Sequence, residues 1–224
     1  MPLLGELQRV FENTYGRAAG VELEACVVGP RRCAEWVARS PGQHAELSDW
    51  ARFFYHVEGA TLRLALYYDA DVIRALEARD PRHGLTEANV LPFLVFAEEC
   101  SHAVHTTLAF RDGGASRVTG EEFVAELELL ARIDAYLVLS HFVRGLGGDF
   151  TRADRAWVRR QAVSRWDVPY DDPALEERYR SAARLAGAFV DRLEELPPSR
   201  RLSELRRFRE LSLARKRARL ARRN

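Results

Sequence analysis

The chain has 224 residues, 47% hydrophobic and 30% charged, with a formal net charge of +1; this excludes a disordered or collagen-like chain and leaves enough length for one substantial core. No apolar run approaches the roughly 20 residues that span a bilayer, and the first residues lack the basic and apolar regions of a secretory signal. Cys26, Cys33 and Cys100 lie at spacings that suit neither a disulfide framework nor a zinc knuckle, so the expected location is the cytoplasm.

The N-terminal elements alternate in type. Residues 3–14 predict a short amphipathic helix. VELEACVV, 21–28, alternates and reads as a strand ended by Gly29-Pro30. RRCAEWVARS predicts a helix that stops at Pro41-Gly42. Two apolar runs at 51–57 and 61–68 flank Glu58-Gly59, the pattern of a β-hairpin. Asp69 then caps a helix to Ala78, and Asp80-Pro81 closes it.

Everything beyond reads as helix. Asn89 is placed to cap a helix over 90–111, and Thr119 with Glu122 to form a capping box for one over 120–144. After the GLGGDF loop, Thr151 opens a helix to about Trp166; DVPYDDP is a second irregular connection, and a helix over 173–195 follows. Pro197-Pro198 separates a basic helix over 202–222. The expected fold is therefore α+β. A small antiparallel β element of about three strands with helices occupies 1–80, a mostly helical part 81–198, and a basic helix or tail 199–224, with 1–198 forming a single domain.

The densest chemistry lies in FAEECSHAVH, residues 96–105. At about 100° per residue, Glu98, His102 and His105 return to one side of the helix, with Glu99, Ser101 and Thr106 beside them. Leu91, Leu94, Val95 and Ala109 frame that side above and below, which favours a partly buried pocket over a solvated face. On the next long helix Asp134 and His141 interrupt the core stripe of Phe123, Leu127, Leu130, Leu137 and Val138, and Glu126 sits at its edge. A connection of about eight residues favours antiparallel neighbours, so the two polar groups are expected to face each other.

Carboxylates with imidazoles suit Zn, Fe or Mn. The expected metal ligands are His102, Asp134, Glu98 and His105, the last optional, and Asp134 is alternatively an acceptor that fixes the His102 tautomer. Glu98, Ser101 and Glu126 are the candidate catalytic groups, with Glu99 or Glu126 as general base. The bland alternative is a hydrogen-bonded structural network. Glu-x-x-His occurs once, at Glu99–His102, without the second copy of a di-iron bundle, and His-Glu-x-x-His is absent.

Glu98-x-x-Ser101-His102 followed by Glu126-Leu-Glu128 and Asp134 resembles a group of uncharacterised bacterial proteins with E-G-x-S-H and L-E-L-E-x(5)-D segments. The resemblance implies that Glu98, Ser101, His102, Glu126, Glu128 and Asp134 belong to one site. Glu99 stands where that pattern has glycine, and His105 where it has an aromatic or aliphatic residue. No activity follows from it.

The tail concentrates charge. Ser199 to Asn224 carries eleven basic residues against Glu204 and Glu210, about +9, leaving about −8 on the rest of the chain. It suits an acidic protein partner, a nucleic-acid backbone or a membrane surface, or its own acidic body. Lys216 is the only lysine among 34 basic residues, so arginine abundance itself is no sign of phosphate binding. Two functions follow: a metal-dependent enzyme of hydrolase type, or a non-enzymatic adapter with a buried polar network and a partner-binding tail.

Overall fold

In a computed structural model of the chain, residues 2–39, 49–145, 150–164 and 173–221 are described. Helix α1 (Leu3–Tyr15) buries Leu4, Leu7, Phe11 and Tyr15, the stripe that three- and four-residue steps generate. It ends at Gly16, in the left-handed region at φ 67°. Arg206 completes that end by donating to the Asn13 and Thr14 carbonyls.

After α2 (Pro30–Arg39), strands β1 (Ala51–Glu58) and β2 (Thr61–Tyr68) form an antiparallel hairpin with Glu58 opposite Thr61. Gly59 has φ 60° while Ala60 does not have positive φ, which places glycine at the first position of a two-residue loop, as a type II′ turn requires. The expected third strand at 21–28 is not formed. Leu23–Cys26 is a single 3-10 turn, and the segment meets β2 only at its end, where Val27 forms one parallel bridge to Leu66 and the Val28 N–H donates to the Leu66 carbonyl at 2.8 Å. The turn wins locally because Gln8 takes the Leu23 N–H and the Ala25 N–H bonds to the Glu22 carbonyl, so those groups are spent before a ladder can use them. The fold is thus mostly helical with a two-stranded sheet.

Helix α3 (Ala70–Ala78) is capped by Asp69, whose carboxylate accepts from the Asp71 N–H at 2.8 Å. The centre of the molecule is α4 (Val90–Gly113) packed on α5 (Glu121–Gly145). Both helices are buried almost all round, as expected of elements surrounded by others. Their predicted caps differ. Asn89 spends its side chain on the Thr86 N–H and the Arg79 and Gly84 carbonyls, pinning the preceding loop instead of the helix end. The Thr119 hydroxyl turns back to the Ser116 carbonyl.

Thr151 and Asp154 do form a capping box at the start of α6 (Arg152–Arg159), which widens into a π-type turn over Arg160–Ser164. Helix α7 (Pro173–Glu195) follows. The Pro41-Gly42 break, most of GLGGDF and the connection around DVPYDDP lie outside the described residues. The basic segment is two helices where one was expected: α8 (Pro198–Glu210) and α9 (Leu213–Ala221). Leu211 is extended, and Ser212 restarts the chain by accepting from the Arg215 and Lys216 N–H groups.

Two cores share α5. One joins α1, α3, α4, α5 and the hairpin around Phe11, Phe93 and Phe142. The other packs Leu205, Phe208 and Leu213 of α8 and α9 against Leu129, Ile133, Phe189 and Leu193 of α5 and α7. The basic tail therefore lies on its own body. Glu204 binds Arg192 and Arg219, and Arg209 reaches Asp112 at 3.0 Å. Among the described residues no helix is long and apolar enough to cross a membrane.

Candidate functional site

Helix α4 carries two pairs at four-residue spacing, Glu98 with His102 and Ser101 with His105. Within a pair the side chains diverge by about 40°, and the two pairs are set about 60° apart around the axis. Opposite them on α5, Glu128 and Asp134 diverge by about 120°. Each α4 pair therefore meets its own α5 carboxylate, and the single constellation expected from the sequence separates into distinct groups.

The first group is Glu98, His102 and Glu128, which each offer a ligand atom, all within 4.8 Å of one another. Glu128 and His102 are buried, while Glu98 and the neighbouring Glu99 are half-buried and give the group an edge toward solvent. His102 Nδ1 lies 3.5 Å from Glu99, and Nε2 lies 3.9 Å from Glu128, too far for a hydrogen bond. His102 Nε2 and Glu128 Oε2 are buried without a hydrogen-bond partner. Phe53 of β1 forms the adjoining wall, its ring centroid 6.4 Å from that of His102.

Three carboxylates around one imidazole set the electrostatics. Burial opposes charge on His102, but Glu99, Glu128 and Glu98 outweigh it and hold the imidazole up at about 9. Burial pushes Glu128 up to about 7 against the pull of His102 and Arg132, and it raises Glu98 as well. Below about pH 9 His102 is therefore charged, and a cation bound by its nitrogen would have to displace that proton.

The second group centres on Asp134, which is fully buried. It accepts from Tyr15 at 2.5 Å and from Ser101 at 2.7 Å, and meets His105 Nε2 at 2.9 Å. A carboxylate only accepts, which assigns the hydrogen to Nε2 of His105. Asp134 thus orients His105, not His102, and neither joins the metal-type group. Ser101 donates its hydrogen bond to Asp134, not to a histidine, so the Ser–His contact of a nucleophilic pair is not made here. Burial first, and then the Asp134 charge, hold the Tyr15 phenol well above its ordinary value.

The third group takes Glu126 away from both. Arg117 holds it with two bonds of 2.9 and 3.0 Å, and the Lys216 ammonium binds it from α9. Lys216 also donates to the Arg209 and Leu211 carbonyls, closing the C-terminal end of α8. Burial raises the Glu126 carboxyl, but Arg117 and Lys216 outweigh it and hold it below its ordinary value. Burial pulls Lys216 down to about 8 despite that partner. His141 is exposed on α5 and meets none of these groups.

Of the expected ligands, Glu98 and His102 come together, while Asp134 and His105 pair with each other. Glu128 is the partner the spacing argument passed over, although the resemblance had placed it in the site. Its signal was angular: on α5 it lies about 200° from Glu126, so only one of the two can face a given group on α4. Tyr15 had no signal, because its approach to Asp134 is purely tertiary. No protein-family model, curated protein or solved structure matches the chain.

Proposed function

We propose that the chain is a metal-dependent enzyme of hydrolase type that holds a divalent transition metal through Glu98, His102 and Glu128. The observation carrying this reading is the convergence of three ligand atoms within 4.8 Å at a buried edge, with His102 Nε2 and Glu128 Oε2 lacking any other partner. Around a tetrahedral ion with bonds of about 2.0–2.2 Å, ligand atoms stand about 3.4 Å apart. Closing the group by roughly an ångström through side-chain rotation would complete three bonds.

Glu99 fits a supporting role. Its contact with His102 Nδ1 turns Nε2 toward Glu128, the arrangement by which a second carboxylate orients a metal-binding imidazole. Two carboxylates and one imidazole suit zinc, manganese or ferrous iron. Three protein ligands leave a position for water, whose pKa a bound ion lowers, and this supplies a nucleophile for hydrolysis. Glu98, the one half-buried member of the three ligands, stands at their solvent edge. The rival reading, an adapter whose basic tail recruits an acidic protein or a nucleic-acid backbone, draws little from α8 and α9, whose Leu205, Phe208 and Leu213 are already packed on α5 and α7.

The test is elemental analysis by inductively coupled plasma mass spectrometry of untagged protein purified without chelator and then reconstituted separately with zinc, manganese and ferrous iron, beside His102→Ala and Glu128→Gln. Near-stoichiometric metal that both variants lose supports the site and justifies screening ester, amide and phosphoester substrates. Wild-type protein that retains none of the three metals overturns it.

A further inference from the structure

The outer edge of β1 is open. Beyond the Ala51–Tyr68 pair the Trp50 carbonyl accepts from the Asp69 N–H, and on the far side of β2 the Leu66 carbonyl accepts from the Val28 N–H, both at 2.8 Å. Along an antiparallel ladder, residues whose backbone groups face the partner strand alternate with residues whose groups face away. Leu66 therefore faces away from β1, its partner Phe53 faces away from β2, and Tyr55 and Val57 follow Phe53 in phase. Val28 takes the outer edge of β2, whereas among the described residues nothing takes the N–H and C=O groups of Phe53, Tyr55 and Val57. All three residues keep part of their surface in solvent. The register runs without a bulge and β1 holds neither proline nor lysine, so none of these blunts the edge. Such a strand is a template for another strand.

Symmetry and charge name the occupant. Two copies of one strand can pair antiparallel about a two-fold axis, each presenting the same surface to the other. An axis at Tyr55 sets Arg52 opposite Glu58 of the second copy, Phe53 opposite its Val57, and Tyr55 opposite its Tyr55. Opposite charges then meet at both ends of the paired segment and apolar side chains meet between them, the arrangement that stabilises cross-strand pairs. Moving the axis by one residue sets Arg52 against His56 or Glu58 against Phe54 and loses both charge pairs. Glu58 is 65% exposed, and its carboxylate can accept from more donors than the Arg63 contact at 3.1 Å supplies.

We propose that the chain forms a two-fold dimer in which β1 pairs antiparallel with β1 of a second copy about Tyr55, merging two hairpins into one four-stranded sheet. The pairing adds about six main-chain hydrogen bonds through Phe53, Tyr55 and Val57, and symmetry makes the Arg52–Glu58 pair twice. It requires no bound metal. Phe53 also walls the Glu98–His102–Glu128 group, its ring centroid 6.4 Å from that of His102, so the dimer fixes the strand that borders the candidate metal centre.

Sedimentation velocity of the full chain from about 1 to about 200 μM is expected to show a monomer–dimer equilibrium, and amide hydrogen exchange at Phe53, Tyr55 and Val57 is expected to slow as the dimer forms. Glu58→Arg sets like charges opposite each other at both ends and is expected to weaken the dimer about tenfold. Arg52→Glu does the same with the opposite sign. An equimolar mixture of the two variants, each confirmed folded by circular dichroism, is expected to dimerise again, because each chain then presents the charges the other lacks. Glu58→Arg, at an exposed side chain, carries the test by itself if Arg52→Glu, at a side chain 20% exposed, does not fold. A chain that stays monomeric throughout, a dimer whose Phe53, Tyr55 and Val57 amides exchange as in the monomer, a dimer unmoved by Glu58→Arg, or a mixture of folded variants that sediments no faster than either alone overturns the proposal.

Discussion

Replacing Lys216 by methionine keeps the aliphatic stem and removes the charge. The ammonium is fully buried and binds Glu126 while donating to the Arg209 and Leu211 carbonyls. Its loss leaves Glu126 with Arg117 alone and two carbonyls without this donor. Breaking a buried pair costs about 3–5 kcal/mol, and the remaining bidentate Arg117 places the expected loss near about 3 kcal/mol at neutral pH. The pH dependence supplies a sharper check. Lys216 is held down at about 8 from 10.5, so between these values the unfolded chain binds the proton that the folded chain has released. Its contribution to stability therefore rises with pH across that window, by about 1 kcal/mol between about pH 7 and pH 9. Urea unfolding of both proteins at a series of pH values measures the difference. Wild-type protein should gain on Lys216→Met as pH rises to about 9, before tyrosine ionisation in the unfolded chain adds an opposing trend. A variant as stable as wild type, or a gap that narrows with rising pH, would refute the placement of Lys216.

Asp134→Ala strands Tyr15, Ser101 and His105 together and should cost about 3–5 kcal/mol in urea unfolding, whereas Tyr15→Phe removes one of the three bonds and should cost about 1 kcal/mol; equal losses would show that the network does not converge on Asp134. Glu128→Gln should act in the opposite sense in chelator-treated protein. Burial holds the Glu128 carboxyl up at about 7 from 4.5, so its ionised form disfavours the fold above that value and the neutral amide relieves about 1–3 kcal/mol. That gain should be larger at about pH 8 than at about pH 5, and a loss of stability at pH 8 would contradict the burial assigned to the carboxylate.

The hairpin was legible because Leu62, Leu64 and Leu66 alternate with Arg63, Ala65 and Tyr67 and a glycine stands at the turn, all local facts. The burial of the Glu98–His105 face was legible from Leu91, Leu94, Val95 and Ala109 around it, and both histidines are indeed buried. The third strand failed because its alternation was real but its N–H groups were taken by Gln8 and by a local turn. The sequence suggests one constellation because Glu98, His102 and His105 share a side of α4 and Asp134 interrupts the facing stripe of α5. Glu98 and His105 share a side yet stand about 10 Å apart along the axis, and the carboxylates that divide them project from α5 in different directions. Lys216 carried a signal left unread. In a chain that otherwise uses arginine, the single lysine sits where a compact ammonium must satisfy a carboxylate and two carbonyls in a space without solvent.

The three polar groups built on α5 carboxylates differ in how completely they are satisfied. Buried ion pairs seldom contribute net stability over apolar packing of the same volume, so their presence alone distinguishes nothing. Around Glu126 the carboxylate is bound by two cations, one of which also closes a helix end, and such a group reads as a clasp between α5 and the C-terminal helices. Around Asp134 three donors converge on one carboxylate, and the atom left over is His105 Nδ1, on a residue that lines a cavity. Around Glu128 the leftover atoms are His102 Nε2 and Glu128 Oε2, in the group to which a metal ion has been proposed to bind. Unsatisfied buried atoms are costly. Here the leftovers around Glu128 are the ones that the proposed metal ion would complete.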